Sequence, residues 1–195
     1  MLKVGLIIGS TRPNRFADIP ALWLLRSAQV RGDFELEVLD LRAADLPFYA
    51  EPQSPSVTQG VYTDPKAEAW RHRVGLCDAF IATVAEYNHG PTAVLKNALD
   101  SAYLEWNRKP IAFVGYGGVG AARAIEHLRG IAIELQMAPI KHEVNIGLEP
   151  FLGVLTQGRN LDDYEFLVNS RTALYDNLVW WAEVLRAGRA VQVAA

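Results

Sequence analysis

The stretch Lys3–Pro20, KVGLIIGSTRPNRFADIP, decides the fold. Its first half, Lys3–Gly9, is a near-continuous apolar run, the composition of a strand covered on both faces. Its last residues open a helix, because Ile19, Leu22, Trp23 and Arg26 recur at helical intervals across Ala17–Val30. Pro20 fits the first helical turn, where a missing N–H breaks no hydrogen bond. Between strand and helix lie Ser10, Thr11, Arg12, Asn14 and Arg15. That is a polar, basic turn where a plain connection would suffice.

The strand-then-helix unit recurs along the chain. Phe34–Leu41 alternates as a strand. Arg42–Pro65 carries Pro47, Pro52, Pro55 and Pro65 and predicts a long irregular loop of the length that is usually functional. Lys66–Leu76 predicts a helix and Ala79–Tyr87 a third strand. Pro91–Trp106 predicts a helix whose apolar stripe runs from Val94 through Leu99 to Tyr103 and Trp106. Tyr103 and Trp106 extend that stripe past core width, as a helix–helix dimer contact would. Ile111–Gly117 predicts a strand, Ala121–Met137 a helix, Ile140–Ile146 a fifth strand and Asp162–Arg186 a long final helix. Trp180 and Trp181 on that last helix suit core and interface packing. Residues 1–186 are expected to form a single domain, and Ala187–Ala195 a frayed tail. Strands alternating with helices imply an α/β three-layer sandwich around a five-stranded parallel sheet. Right-handed crossovers and a length of 195 residues favour the flavodoxin-like order 2-1-3-4-5 over a six-stranded dinucleotide fold.

Composition narrows the function. Half of the residues are hydrophobic, enough for a sizeable core. A formal charge of −3, with no long like-charged run, argues against a nucleic-acid binder. Cys77 is the only cysteine, which excludes an internal disulfide and suits a reducing cytoplasm. It reads as a small core residue. The N-terminus is too short and too soon broken for a signal peptide, and no apolar run reaches membrane-spanning length. The four histidines have no ligand spacing, so no metal site is expected. G-x-S-x-G is absent, which argues against a serine hydrolase.

In an open parallel sheet, ligands bind beyond the carboxyl ends of the strands, where the order reverses. That places a ligand at the turn after strand one. Unpaired N–H groups at the start of the next helix favour an anion. Ser10 and Thr11 add hydroxyls, and Arg12 and Arg15 add charge, so GSTRPNRF reads as a phosphate cradle. It lacks the Gly-Lys-Ser/Thr ending of a Walker loop. The alternative is a helix capped by Ser10 with solvated arginines. Two further turns at the same edge favour the cradle: AEYNHGPTAVLKNALD (Ala85–Asp100) and GYGGVGAARA (Gly115–Ala124). The first supplies Glu86, Tyr87 and Asn88. In the second, Gly117, Gly118 and Gly120 let backbone approach a flat ring closely. Together they fit a flavin mononucleotide, FMN.

GSTRPNR, EYNHGPTAVLKNALD and GYGGVGAARA, in this order and spacing, resemble the NAD(P)H-dependent FMN reductases, relatives of bacterial chromate and quinone reductases and of azoreductases. Ala85 stands where that family usually has proline. The resemblance implies phosphate contacts from Ser10, Arg12, Arg15 and the Phe16 backbone. It implies ring contacts from Glu86, Tyr87, Asn88, His89, Gly117, Gly118 and Val119. It also implies a homodimer or homotetramer, with the flavin edge near a subunit boundary and the Pro47–Pro65 loop helping to wall the ring.

Gly115–Gly120 matches G-x-G-x-x-G literally, but no acidic residue ends a strand about 20 residues on, as a dinucleotide site would need. A receiver domain would need paired acids after strand one, where Gly9-Ser10-Thr11 stands. Lys96 and Asp100 form an i, i+4 pair worth roughly 0.2–0.5 kcal/mol. The expected activity is a ping-pong transfer from NADPH or NADH through FMN to a small acceptor: a quinone, azo compound, metal oxyanion or flavin. No catalytic acid or base is assigned. The alternative is a flavodoxin-type carrier without its own NAD(P)H oxidation.

Overall fold

A computed structural model describes residues 1–58 and 60–193. Its elements are β1 (Leu2–Ile8), α1 (Asp18–Arg31), β2 (Phe34–Asp40), α2 (Leu41–Ala44), α3 (Pro65–Gly75), β3 (Ala79–Tyr87), β4 (Gly90–Pro91) and α4 (Ala93–Asp100). They continue with β5 (Pro110–Tyr116), α5 (Ala122–Glu134), β6 (Ala138–Pro139), β7 (Val144–Ile146), α6 (Leu148–Thr156), a 3-10 turn at Leu161–Asp163 and α7 (Glu165–Val193). The sheet runs β2-β1-β3-β5-β6, all parallel, which is the expected 2-1-3-4-5 order.

Side-chain alternation builds one core on each face. Val4, Leu6, Ile8, Ile81 and Val114 pack under α1 and α7. Ile7, Phe80, Ala82, Val84 and Phe113 pack under α3, α4 and α5. Burial on both faces is why these strands read as unbroken apolar runs. Cys77 lies in the second core, and burial pushes its thiol up to about 11, so it is unreactive.

Four expectations change. The predicted helix over Pro91–Trp106 stops at Asp100. The Ser101 hydroxyl bonds back to the Asn97 carbonyl, and the chain then turns so that Trp106 enters the core. Trp106 stacks edge-on against Phe80 with centroids 4.7 Å apart and donates to the Leu99 carbonyl, so it makes no dimer surface. The fifth strand is two pieces, β6 and β7, both pairing with β5. A short helix, α6, follows it, and its Phe151 packs on Phe16 and Tyr116. The expected frayed tail is helical through Val193, and Arg186 and Arg189 reach Asp78 from one helical face. Ala194 and Ala195 lie outside the described residues.

Trp106 packs against two aromatic rings, Trp70 and Phe80, and is fully buried. Trp106→Ala should therefore cost about 3–5 kcal/mol, read from urea unfolding. A loss below about 1 kcal/mol would return Trp106 to the surface role.

Candidate functional site

The first turn starts from a clamped glycine. The Gly9 N–H donates to the Thr83 hydroxyl at 3.1 Å, and its carbonyl accepts from the Thr92 hydroxyl at 2.7 Å. A Cβ here would lie 2.3 Å from the Thr83 carbonyl oxygen, so only glycine fits. Thr92 is also the N-cap of α4, accepting from the Leu95 N–H.

Beyond Gly9 the chain makes an open loop. Ser10 is 2% exposed, with its hydroxyl 3.3 Å from the Tyr87 hydroxyl. Arg12 is exposed, its guanidinium 6.0 Å from the Tyr87 ring centre. Arg42, from α2, donates to the Arg12 carbonyl. Among the described residues, no protein acceptor takes the backbone N–H of Thr11, Asn14 or Phe16. Unpaired N–H groups around a concave turn form an anion nest. The N-cap of α1 is Ala17, with no side-chain cap, so Ser10 does not cap that helix.

Arg15 corrects the sequence reading. Its guanidinium turns inward, donating to Asp18, to the Ser10 carbonyl and, through both terminal nitrogens, to Asp40. A buried guanidinium needs paired carboxylates, and Arg15 has two. Its hydrogen-bonding edges face the protein, which leaves Arg12 and Arg42 as the cations of this turn. Phe16 buries its ring against Tyr116 and Phe151, so only its backbone faces the nest.

The second turn is a tight hairpin in which β4 pairs back on β3, with Tyr87 opposite Gly90. Its two loop residues, Asn88 and His89, have φ of 50° and 76°. Two left-handed residues are what a type I′ hairpin demands, and asparagine tolerates that conformation well. Tyr87 is 39% exposed and presents its ring at the rim. His89 stacks with His127 of α5 at 6.1 Å between centroids.

Glu86 does not face the rim. Its carboxylate accepts from Arg123 and from the Arg123 and Ala124 N–H groups at the start of α5. The α5 N-cap, Ala121, has no side chain for the task, so Glu86 supplies the negative charge a helix N-terminus favours. Burial alone would raise the Glu86 carboxyl; the Arg123 and backbone donors outweigh it and hold it below the usual range.

The third turn follows β5. Gly117 donates to the Ile146 carbonyl, and Gly120 packs on Asn145, where a Cβ would meet Asn145 Cβ at 2.7 Å. Nothing crowds Gly117 or Gly118. No protein acceptor among the described residues takes the N–H of Gly118 or Val119. Tyr116, the last residue of β5, lies beneath this edge, its hydroxyl raised by burial and by neighbouring Tyr87. The three turns thus meet through Ser10–Tyr87, Glu86–Arg123 and Phe16–Tyr116.

The free N–H groups, the Ser10 hydroxyl and Arg12 fit a phosphate. The open Gly117–Val119 backbone and the Tyr87 ring fit a planar ring system. FMN has both. Asp40, Arg42, Tyr116 and Phe151 escaped the sequence reading, since only the fold brings them here. A larger cavity, about 490 Å³ between α1 and α7, is lined by Trp23, Arg31 and Arg171. It lies away from all three turns, and two of its three arginines, Arg31 and Arg171, pair with Asp33, Asp176 and Asp162.

Residues 2–150 match the family model described as NADPH-dependent FMN reductase. The chain is 34% identical over 139 residues to an NAD(P)H-dependent FMN reductase of Schizosaccharomyces pombe, covering 70% of each. It is 32% identical over 178 residues to an NAD(P)H:quinone oxidoreductase of Solanum tuberosum, covering 88% of this chain and 86% of that one. Its fold matches FerB, a flavoenzyme NAD(P)H:(acceptor) oxidoreductase from Paracoccus denitrificans, with TM-score 0.73 and 23% identity over 94% of this chain and 98% of that one.

Glu86→Gln should cost about 1.5–3 kcal/mol at pH 7, the scale of hydrogen bonds to a charged group. The folded carboxyl titrates below its unfolded value, about 4.3, so this stabilisation is present above that pH and is lost as pH falls through the folded pKa. Urea unfolding of both proteins should show the gap narrowing at acid pH. A gap independent of pH would exclude the carboxylate as its source.

Proposed function

The chain belongs to the NADPH-dependent FMN reductase family, and from that membership we propose an FMN-dependent NAD(P)H oxidoreductase that reduces quinones by a ping-pong cycle. The Thr11, Asn14 and Phe16 N–H groups, which have no protein acceptor among the described residues and lie at the same sheet edge as Gly118 and Val119, carry this reading. The quinone oxidoreductase of Solanum tuberosum, similar across most of both chains, supports the choice of acceptor.

The residues divide the work by position. Ser10, Arg12 and the Thr11, Asn14 and Phe16 N–H groups would hold the phosphate, and Arg42 would add charge from α2. Tyr87, Asn88 and His89 border the ring on one side, and Gly117, Gly118 and Val119 on the other. With FMN bound, the Gly118 and Val119 N–H groups would be available as fixed dipoles to favour negative charge on the ring. When bound, FMN supplies the redox chemistry that no side chain of this chain offers. Glu86 and Arg15 act from behind, one on α5 and the other on the first turn. No side chain is assigned as general acid or base.

NAD(P)H and acceptor then use the same open rim in turn. Residues 1–186 act as one FMN-binding unit, assembled as a homodimer or homotetramer that completes the wall of the ring with the Pro47–Pro65 loop. We place the protein in the cytoplasm, consistent with its single, unpaired cysteine. No helix among the described residues is long and apolar enough to cross a membrane.

Two measurements test the reading. The purified protein should bind FMN and oxidise NADPH or NADH with a benzoquinone, giving parallel double-reciprocal lines. Flavin binding without turnover would instead make it an electron carrier. Arg12→Ala should weaken FMN binding by at least about 1.5 kcal/mol, the scale of one charge-assisted bond. Unchanged affinity would remove Arg12 from the phosphate site.

A further inference from the structure

Asp40 ends β2 and takes no part in the contacts assigned above to the flavin. Its two carboxylate oxygens each accept from one terminal nitrogen of Arg15, both at 2.6 Å. Arg15 Nη1 also donates to the Ser10 carbonyl at 2.7 Å, and Nε donates to Asp18 at 2.8 Å. Two carboxylates neutralise this guanidinium, and its side chain is 4% exposed. It therefore offers a dianion neither free charge nor a free edge.

What it does offer is aim. A trans peptide is planar, with its C=O and N–H pointing in opposite directions. The Ser10 carbonyl and the Thr11 N–H belong to one such plane. When Arg15 draws the carbonyl inward, the Thr11 N–H must point outward. That N–H has no protein acceptor among the described residues. The carbonyl stays inward only while the guanidinium holds its orientation, and the two-pronged grip of Asp40 sets that orientation. Asp40 braces the turn from a second side as well. Its Oδ1 accepts from the Arg42 N–H at 2.9 Å and starts α2, and the Arg42 guanidinium reaches the Arg12 carbonyl.

We propose that Asp40 is a positioning residue for the flavin phosphate, acting through Arg15 to hold the Ser10 carbonyl inward and so to aim the Thr11 N–H at the phosphate. This rests on the FMN reading above and adds to it a residue on a different strand, 25 positions beyond Arg15.

The test separates phosphate aim from general stability by using two flavins. FMN carries the phosphate; riboflavin has the same ring and lacks it. Wild type, Asp40→Asn and Arg15→Lys are titrated with each by flavin fluorescence, with melting temperatures measured alongside. Asparagine keeps an oxygen for the Arg42 N–H, since it caps a helix about as well as aspartate, and removes the second grip on Arg15. The proposal expects at least a tenfold rise in the FMN dissociation constant for Asp40→Asn, with riboflavin changed less than twofold. FMN affinity within twofold of wild type would overturn it, as would equal losses for both flavins. If Asp40→Asn does not fold, Arg15→Lys is judged by the same ratio. A wild-type chain that binds neither flavin would overturn the FMN reading itself, which keeps the two failures distinct.

Discussion

The candidate site depends first on how the chain leaves β1. Gly9 has its N–H held by Thr83 of β3 and its carbonyl held by Thr92, the cap of α4. The end of β1 is thereby joined at one buried point to β3 and the α4 cap, more than 70 residues further along the chain. Removing either hydroxyl would strand a buried backbone group, at a cost of about 1–3 kcal/mol. The joint also sets direction, because each fixed peptide plane determines where the next N–H points. Thr92 orients the plane that carries the Ser10 N–H, and Arg15 orients the plane that carries the Thr11 N–H. A row of outward donors is thus produced by acceptors held inward.

Arg12 and Arg15 show how burial assigns roles to identical side chains. Three residues apart in one loop, they separate completely. Arg12 stays at the surface beside Tyr87, while Arg15 turns under the loop and meets Asp18 and Asp40. Glu86 follows the same logic with opposite sign, since its carboxylate is drawn to the α5 N-terminus and to Arg123. Charge buried behind the rim organises backbone, and charge left on the rim is free to meet a ligand.

The opposite edge of the sheet ties helices to strands through charged side chains. Lys109 donates to the Val74 and Gly75 carbonyls at the end of α3, and burial lowers its ammonium to about 8. Arg186 and Arg189 of α7 converge on Asp78 nearby. These contacts tie α3 and α7 to the strand starts.

Local pattern alone determined the sheet and its turns. Apolar runs such as Lys3–Gly9 and Ala79–Tyr87 report burial on both faces, and the spacing of polar turns follows from right-handed crossovers, so fold and rim were legible by residue number. The end of α4, the split of the fifth strand, α6 and the helical Ala187–Val193 segment were not, because each has partners far along the chain: Phe80 for Trp106, β5 for β6 and β7, Phe16 for Phe151 of α6, and Asp78 for Arg189. The same holds for Arg15 and Glu86. Their positions in the turns were evident from sequence, but which way a charged side chain faces depends on where an opposite charge lies in space. Asp40 and the α5 N-terminus come within reach only once the strands are stacked, so tertiary structure alone decided that these two groups turn to partners behind the candidate site.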